Sequence, residues 1–172
     1  ELSQSYLYFY EKLERANLYL NAIIATKDKP YTDRAVEFLL TSNIRDGENW
    51  HGFVALVSKY GVVPQEVMPE TYSSSNSNHV ISVLSLKLKQ AAVRIRHESS
   101  PKRIAEIRMQ ALKDMYRILA MNFGVPPTTF TWRYMKTDTS LTILKAFTPL
   151  RFFQETIGNA LADYYPLYSI PT

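Results

Sequence analysis

The chain has 172 residues, 46% hydrophobic and 21% charged, a balance that allows a packed core and excludes a disordered, charge-solvated composition. It contains no cysteine, which excludes disulfides, thiolate metal sites and a cysteine nucleophile within these residues. The formal charge of +4 is unevenly placed: residues 87–117 hold nine basic residues against three acidic ones, and the remainder is slightly acidic.

The periodicity predicts a helix over residues 2–26, with Leu2, Tyr6, Phe9, Leu13, Ala16, Leu20 and Ile23 recurring at three- and four-residue spacing. Ser3 is placed to cap it, and Glu11, Lys12, Glu14 and Arg15 are expected on its wet face. Glu1 opens directly on this helical pattern, so a cut end is expected there. After a loop around Pro30, Thr32 reads as the N-cap of a second helix carrying Ala35, Val36, Phe38 and Leu39. Residues 43–49 form a polar loop with Gly47. Residues 50–60 form a short helix that Gly61 stops, and Val62 and Val63 continue extended towards Pro64. SSSNSN at residues 73–78 reads as a linker.

Ser77 or Asn78 then starts a helix with Val80, Val83, Leu84, Leu86, Leu88, Ala91 and Ile95 as apolar positions. Ser99, Ser100 and Pro101 interrupt it. Pro101 suits the first turn of a further helix running to Phe123, with Gly124 as its stop. The two form a helical hairpin that carries the basic excess. TTFTWRYM at residues 128–135 is β-branched and aromatic and reads as a strand, paired with residues 141–147. Thr148 and Pro149 start a last helix facing inward through Leu150, Phe153 and Ile157. Residues 158–165 read as irregular and 166–172 as a short strand. The whole predicts an α+β chain, mainly helical. Three parts are expected: residues 1–75, the hairpin at 76–124, and 125–172. No apolar run approaches the ~18–20 residues of a membrane span, so no membrane partner is expected.

Reactive residues are sparse. His51, His79 and His97 stand in no metal spacing and beside no serine elbow, so capping or surface roles are favoured. Ser73, Ser74 and Ser75 fit a linker. The carboxylate pairs Glu11 with Glu14 and Glu66 with Glu70 fit solvated surface better than acid–base work. Five glycines form no phosphate loop, and no cofactor is expected. The basic hairpin has two readings. One is a solvated amphipathic face. The other is a polyanion or nucleic-acid contact through Arg94, Arg96, Lys102, Arg103 and Arg108, whose clustered charges would release counterions from a phosphate backbone.

Three stretches carry a resemblance: ELSQSYLYFYEKLERANLYL at the start, DGENWHGFVALVSKYGVVPQEVMPET at residues 46–71, and TPLRFFQETI followed by DYYPLYSIPT near the end. In wording and order the chain resembles the bleomycin hydrolase and aminopeptidase C family of papain-like cysteine peptidases. The resemblance implies part of a papain-like fold: a piece of the helical lobe, a helical-hairpin insertion and a short β-hairpin. It implies a cysteine and an oxyanion glutamine before this segment, and a histidine and an asparagine after it. The expected function is thus that of a segment of a cytoplasmic cysteine aminopeptidase, acting on peptides as a homo-hexamer. The alternative is a non-catalytic homologue or fragment working in assembly or polyanion binding; DNA is a possible partner, since some family members bind it.

In the family, one loop presents two adjacent glycines so that its backbone can run beside the substrate as an edge strand. Asp46 and Gly47 match its start, Glu48 stands where a second glycine is usual, Asn49 occupies a polar position and Trp50 begins the following helix. These five are the expected substrate-binding residues. A side chain at Glu48 would crowd the path of the substrate.

Overall fold

The computed structural model describes residues 1–47, 49–137 and 140–164. Among the described residues, seven α-helices run in the order α1 (Gln4–Ala25), α2 (Arg34–Thr41), α3 (Trp50–Tyr60), α4 (Tyr72–Ser75), α5 (Asn78–His97), α6 (Pro101–Phe123) and, after four short strands, α7 (Pro149–Thr156). A 3₁₀ turn, Gly158–Asp163, follows. The mainly helical α+β class expected from the sequence is what the chain adopts. By compactness it divides into two units, each assembled from separated stretches: Glu1–Leu7, Glu48–Pro69 and Pro126–Thr172 in one, Tyr8–Gly47 and Glu70–Val125 in the other.

The first unit is built around Val57, Val62, Phe152 and Phe153, with Leu2, Leu7, Phe53, Phe130, Trp132, Phe147, Ile157 and Leu161 packed against them. Each large side chain buried in such a cluster contributes roughly 1.5–3 kcal/mol. Gly61 ends α3 at φ 75°, its N–H bonded to the Val57 carbonyl. That turn sends Val62 along Pro149, whose carbonyl accepts the Val62 N–H at 3.2 Å. The start of the chain adds to the same backbone: the Ser3 N–H donates to the Val63 carbonyl at 2.9 Å, and Leu2 forms a bridge with Pro64. Ser3 caps α1 as expected, its Oγ accepting the Tyr6 N–H at 3.1 Å. The Tyr6 hydroxyl donates to the Tyr60 carbonyl at 2.7 Å.

The expected β-hairpin forms in two pieces. Strands β1 (Phe130–Trp132) and β4 (Lys145–Phe147) pair antiparallel with Phe130 opposite Phe147. Strands β2 (Met135–Thr137) and β3 (Ser140–Leu141) pair with an irregular register. Between the pieces, the Thr142 side chain accepts from the Tyr134 N–H at 2.9 Å, and the Thr142 N–H returns to the Tyr134 carbonyl. The rings of Phe130 and Phe147 stack at 6.0 Å, and both meet Phe152 edge-on at 5.4 Å. Phe152 therefore takes the inward position of α7 expected for Leu150, which is exposed. Thr148 caps that helix by accepting the Arg151 N–H. Residues 158–163, expected to be irregular, form the 3₁₀ turn. The strand expected at 166–172 lies outside the described residues.

In the second unit, α5 and α6 pack as the expected hairpin. Val80, Leu84, Leu88 and Ile95 of α5, and Ile104, Met115, Leu119 and Phe123 of α6, are buried. Leu86 and Met109, expected inward, face solvent. Pro101 opens α6 as expected, and the Ser100 Oγ adds a cap by accepting the Arg103 N–H. Three local readings are corrected. Asp33, not Thr32, is the N-cap of α2, because its carboxylate reaches the Ala35 N–H at 2.9 Å. Phe38 on that helix is exposed. The serine-rich stretch is not a plain linker: Thr71 and Ser74 form a reciprocal capping box around the single turn of α4.

Candidate functional site

The polar loop before α3 is tied to α1, and the tie begins with a lysine that the sequence placed in solvent. Lys12 is 1% exposed and Glu11 is buried as well. Residue type alone puts these charged positions on a wet face, but Lys12 sits three residues after Phe9 and four before Ala16, on the inward stripe. An ammonium has three protons to place. The Lys12 Nζ finds the Arg45 carbonyl at 2.6 Å, Glu11 Oε2 at 2.8 Å and Asp46 Oδ1 at 2.9 Å. It also lies 4.5 Å from the centre of the Tyr8 ring.

Asp46 gathers this cluster. The Tyr8 hydroxyl donates to its Oδ1 at 3.0 Å, and the Ser77 hydroxyl donates to its Oδ2 at 2.9 Å. Ser77 thereby leaves its helix-capping role, and α5 starts without a side-chain cap. Arg15 extends the tie by donating to Glu11 and to the Gly47 carbonyl. Gly47 has φ 86°, and no atom stands within 4 Å of where a Cβ would lie. The glycine is thus required by backbone conformation and not by crowding.

Burial would raise the Asp46 carboxyl, but the Lys12 ammonium and the hydrogen bonds from Ser77 and Tyr8 outweigh it, holding the group below the usual carboxylate range. The Tyr8 hydroxyl is pushed well above the usual tyrosine range, first by burial and then by the Asp46 charge, against an opposing contact from Ser77. The consequence for stability has a definite sign. A carboxyl depressed in the folded state stabilises fully above its unfolded value of about 3.9, and that contribution is lost as pH falls through the folded value. The difference in unfolding free energy between the native chain and Asp46→Asn should therefore be constant at neutral pH and shrink below about pH 4. Urea titrations at pH 7, 5 and 3 check this; a pH-independent difference would show that Asp46 is not depressed.

The five expected substrate-binding residues fall as follows. Asp46 and Gly47 form the tied loop. Asn49 is the N-cap of α3, its Oδ1 accepting the Gly52 N–H at 2.9 Å. Trp50 is half-buried in the first turn of α3, its ring 5.6 Å from Phe53 and 6.2 Å from Tyr164. Glu48 lies outside the described residues. Lys12 and Arg15, which hold this loop, are not singled out by residue type. The signal that could have found Lys12 was its register on the helix, which residue type overrode.

The basic residues of the hairpin differ in how far they are engaged. Arg96 donates to the Thr26 carbonyl at 2.9 Å and to the Lys29 carbonyl, and stacks 4.5 Å from the Tyr31 ring centre. Arg108 donates to Asn21 and Asn17. Arg94, Lys102 and Arg103 are exposed. His51, His79 and His97 are exposed too. Among the described residues, no three of His, Asp and Glu gather as a metal site, and no helix is long and apolar enough to cross a membrane.

A mainly helical chain with a short β-hairpin is what the sequence resemblance implied, and comparison with known proteins agrees. The chain belongs to the Peptidase C1-like family, which it matches over residues 1–172. It is 38% identical to aminopeptidase G of Lactobacillus delbrueckii subsp. lactis over 99% of its own length and 40% of that protein. It is 34% identical to the bleomycin hydrolase of Mus musculus over 91% of its length and 36% of that protein. The crystal structure of PepW from Lactobacillus rhamnosis HN001 superposes with a TM-score of 0.88 at 41% identity, covering 92% of this chain and 36% of that one. The chain thus spans about 40% of the length of such curated relatives.

Proposed function

We propose that this chain is a segment of a papain-like cysteine aminopeptidase of the bleomycin hydrolase type, releasing amino-terminal residues from peptides. The match to aminopeptidase G over 99% of the chain carries this reading. In the longer polypeptide a cysteine thiolate attacks the scissile carbonyl, a histidine protonates the leaving amine, and backbone and glutamine donors hold the oxyanion. The thiolate comes from outside these 172 residues, which contain no cysteine. This segment contributes the substrate-side wall: the backbone at Asp46 and Gly47, then Glu48, Asn49 and Trp50. Support for that assignment comes from the open space over Gly47.

The same resemblance leads us to read the longer polypeptide as a cytoplasmic homo-hexamer, with the α5–α6 hairpin as an insertion in the peptidase domain. A polyanion contact on that hairpin would fall to Arg94, Lys102 and Arg103, which remain exposed. The 172-residue chain alone should not hydrolyse an aminoacyl anilide. The longer polypeptide should do so with saturable kinetics, and iodoacetamide should abolish the activity. Saturable hydrolysis by the short chain that survives repurification would overturn the reading. Inactivity of the longer polypeptide would favour a non-catalytic homologue.

A further inference from the structure

We propose that Lys12, assisted by Arg15, is a positioning residue for the peptide-binding loop. The inference rests on the proposed reading of that loop. The starting observation is a cost. Removing an ammonium from water is unfavourable, and a buried ion pair recovers that loss only when its geometry is good and its protons are all placed. A methionine or leucine at position 12 would suit the neighbours Phe9 and Ala16, which are both buried. Packing of α1 therefore gives no reason for a charge here.

The reason lies in where the protons go. Lys12 holds the Arg45 carbonyl and the Asp46 carboxylate. Arg15 holds the Gly47 carbonyl. The Arg45 carbonyl belongs to the peptide plane before Asp46, and the Gly47 carbonyl belongs to the plane after Gly47. Gripping both fixes the planes that bracket the Asp46–Gly47 step, while Gly47 itself, at φ 86°, supplies the turn between them. A backbone that is to bind an extended peptide by its edge must present its amide groups in a set direction, and ordering them in advance removes that cost from binding. Glu11 completes the device by accepting from both cations. The two cations and the two carboxylates balance, so the loop is held without adding net charge beside the substrate.

The test uses the 172-residue chain, backbone amide relaxation measured by NMR, and a penta-alanine peptide with a free amino terminus as probe. In Lys12→Met, the order parameters of the Asp46 and Gly47 amides should fall from rigid values of ~0.85 towards flexible values below ~0.6. The order parameter at Leu88 in α5 should stay near its native value. The peptide affinity should fall about tenfold or more, the loss expected for hydrogen bonds to a charged group, and Lys12→Arg should recover part of both. Arg15→Met, at a position with a partly exposed side chain, gives the Gly47 half of the test if Lys12→Met does not fold. Unchanged order parameters and affinity in the folded variants would overturn the proposal, as would an equal fall at every amide. If the native chain does not bind the peptide but Lys12→Met still loosens Asp46 and Gly47 alone, the positioning role stands and the peptide-binding reading fails.

Discussion

Gly61→Ala is expected to destabilise the chain by about 3–5 kcal/mol, among the largest effects available to a single methyl group. Two independent costs combine. Gly61 has φ 75° with ψ −162°, a conformation essentially confined to glycine that costs a residue with a Cβ roughly 1–3 kcal/mol. The added Cβ would also fall deep inside contact distance of the Pro149 carbonyl and the Leu150 nitrogen. Both neighbours are backbone, so no rotamer change relieves the clash. Moving Pro149 away would disrupt the hydrogen bond from Val62 and disturb the packing of Phe152 and Phe153. Gly124 supplies the control, since its φ is 86° and no atom stands within 4 Å of its Cβ position. Gly124→Ala should therefore show only the conformational part, about 1–3 kcal/mol. Urea unfolding of both variants separates the terms, and equal losses would mean that the Pro149 contact is unimportant.

Lys12→Met should cost about 2–3 kcal/mol, less than the ~3–5 kcal/mol typical of breaking a fully buried pair. The reduction has a structural cause. The Asp46 side chain is 46% exposed and can hydrate when its partner is lost, and Glu11 keeps Arg15. The methionine also retains most of the apolar stem. Removing the other end, as in Asp46→Asn, should cost only about 1 kcal/mol at neutral pH, since the pair is open to water on that side. The asymmetry is the informative result: the stability midpoint should respond more to the lysine than to the aspartate. Equal effects would place the cost in the Lys12–Asp46 pair itself and not in the remaining partners of the ammonium.

Where the sequence was legible, backbone chemistry was local. Trp50–Tyr60 ending at Gly61, Pro101 opening α6, Gly124 closing it and Thr148 with Pro149 opening α7 were all readable, because each signal acts within one turn. The family resemblance was also legible, since it rested on the wording of a loop and not on helix pattern. The losses arose where a distant partner decided the outcome. Lys12 is inside because Arg45, Asp46 and Glu11 receive its protons, and two of those partners lie more than thirty positions away. Ser77 serves Asp46 instead of the helix that follows it. Leu150 yields to Phe152 because the rings of Phe130 and Phe147 define the inward side of α7.

The first unit has an implication for synthesis. Its short extended segment at Val62 and Val63 receives Ser3 from the start of the chain and borders Pro149 from near its end. Long closures of this kind are slow to reward, whereas α5 and α6, joined by only three residues, can pair as α6 emerges. On a ribosome adding roughly 5–20 residues per second, Val62 would wait some seconds for Pro149 to appear. During that interval Val57 and Val62 lack Phe152 and Phe153, and the nascent chain carries an uncovered apolar strip. Chaperone demand should therefore be greatest after the helical hairpin has formed and before α7 is translated.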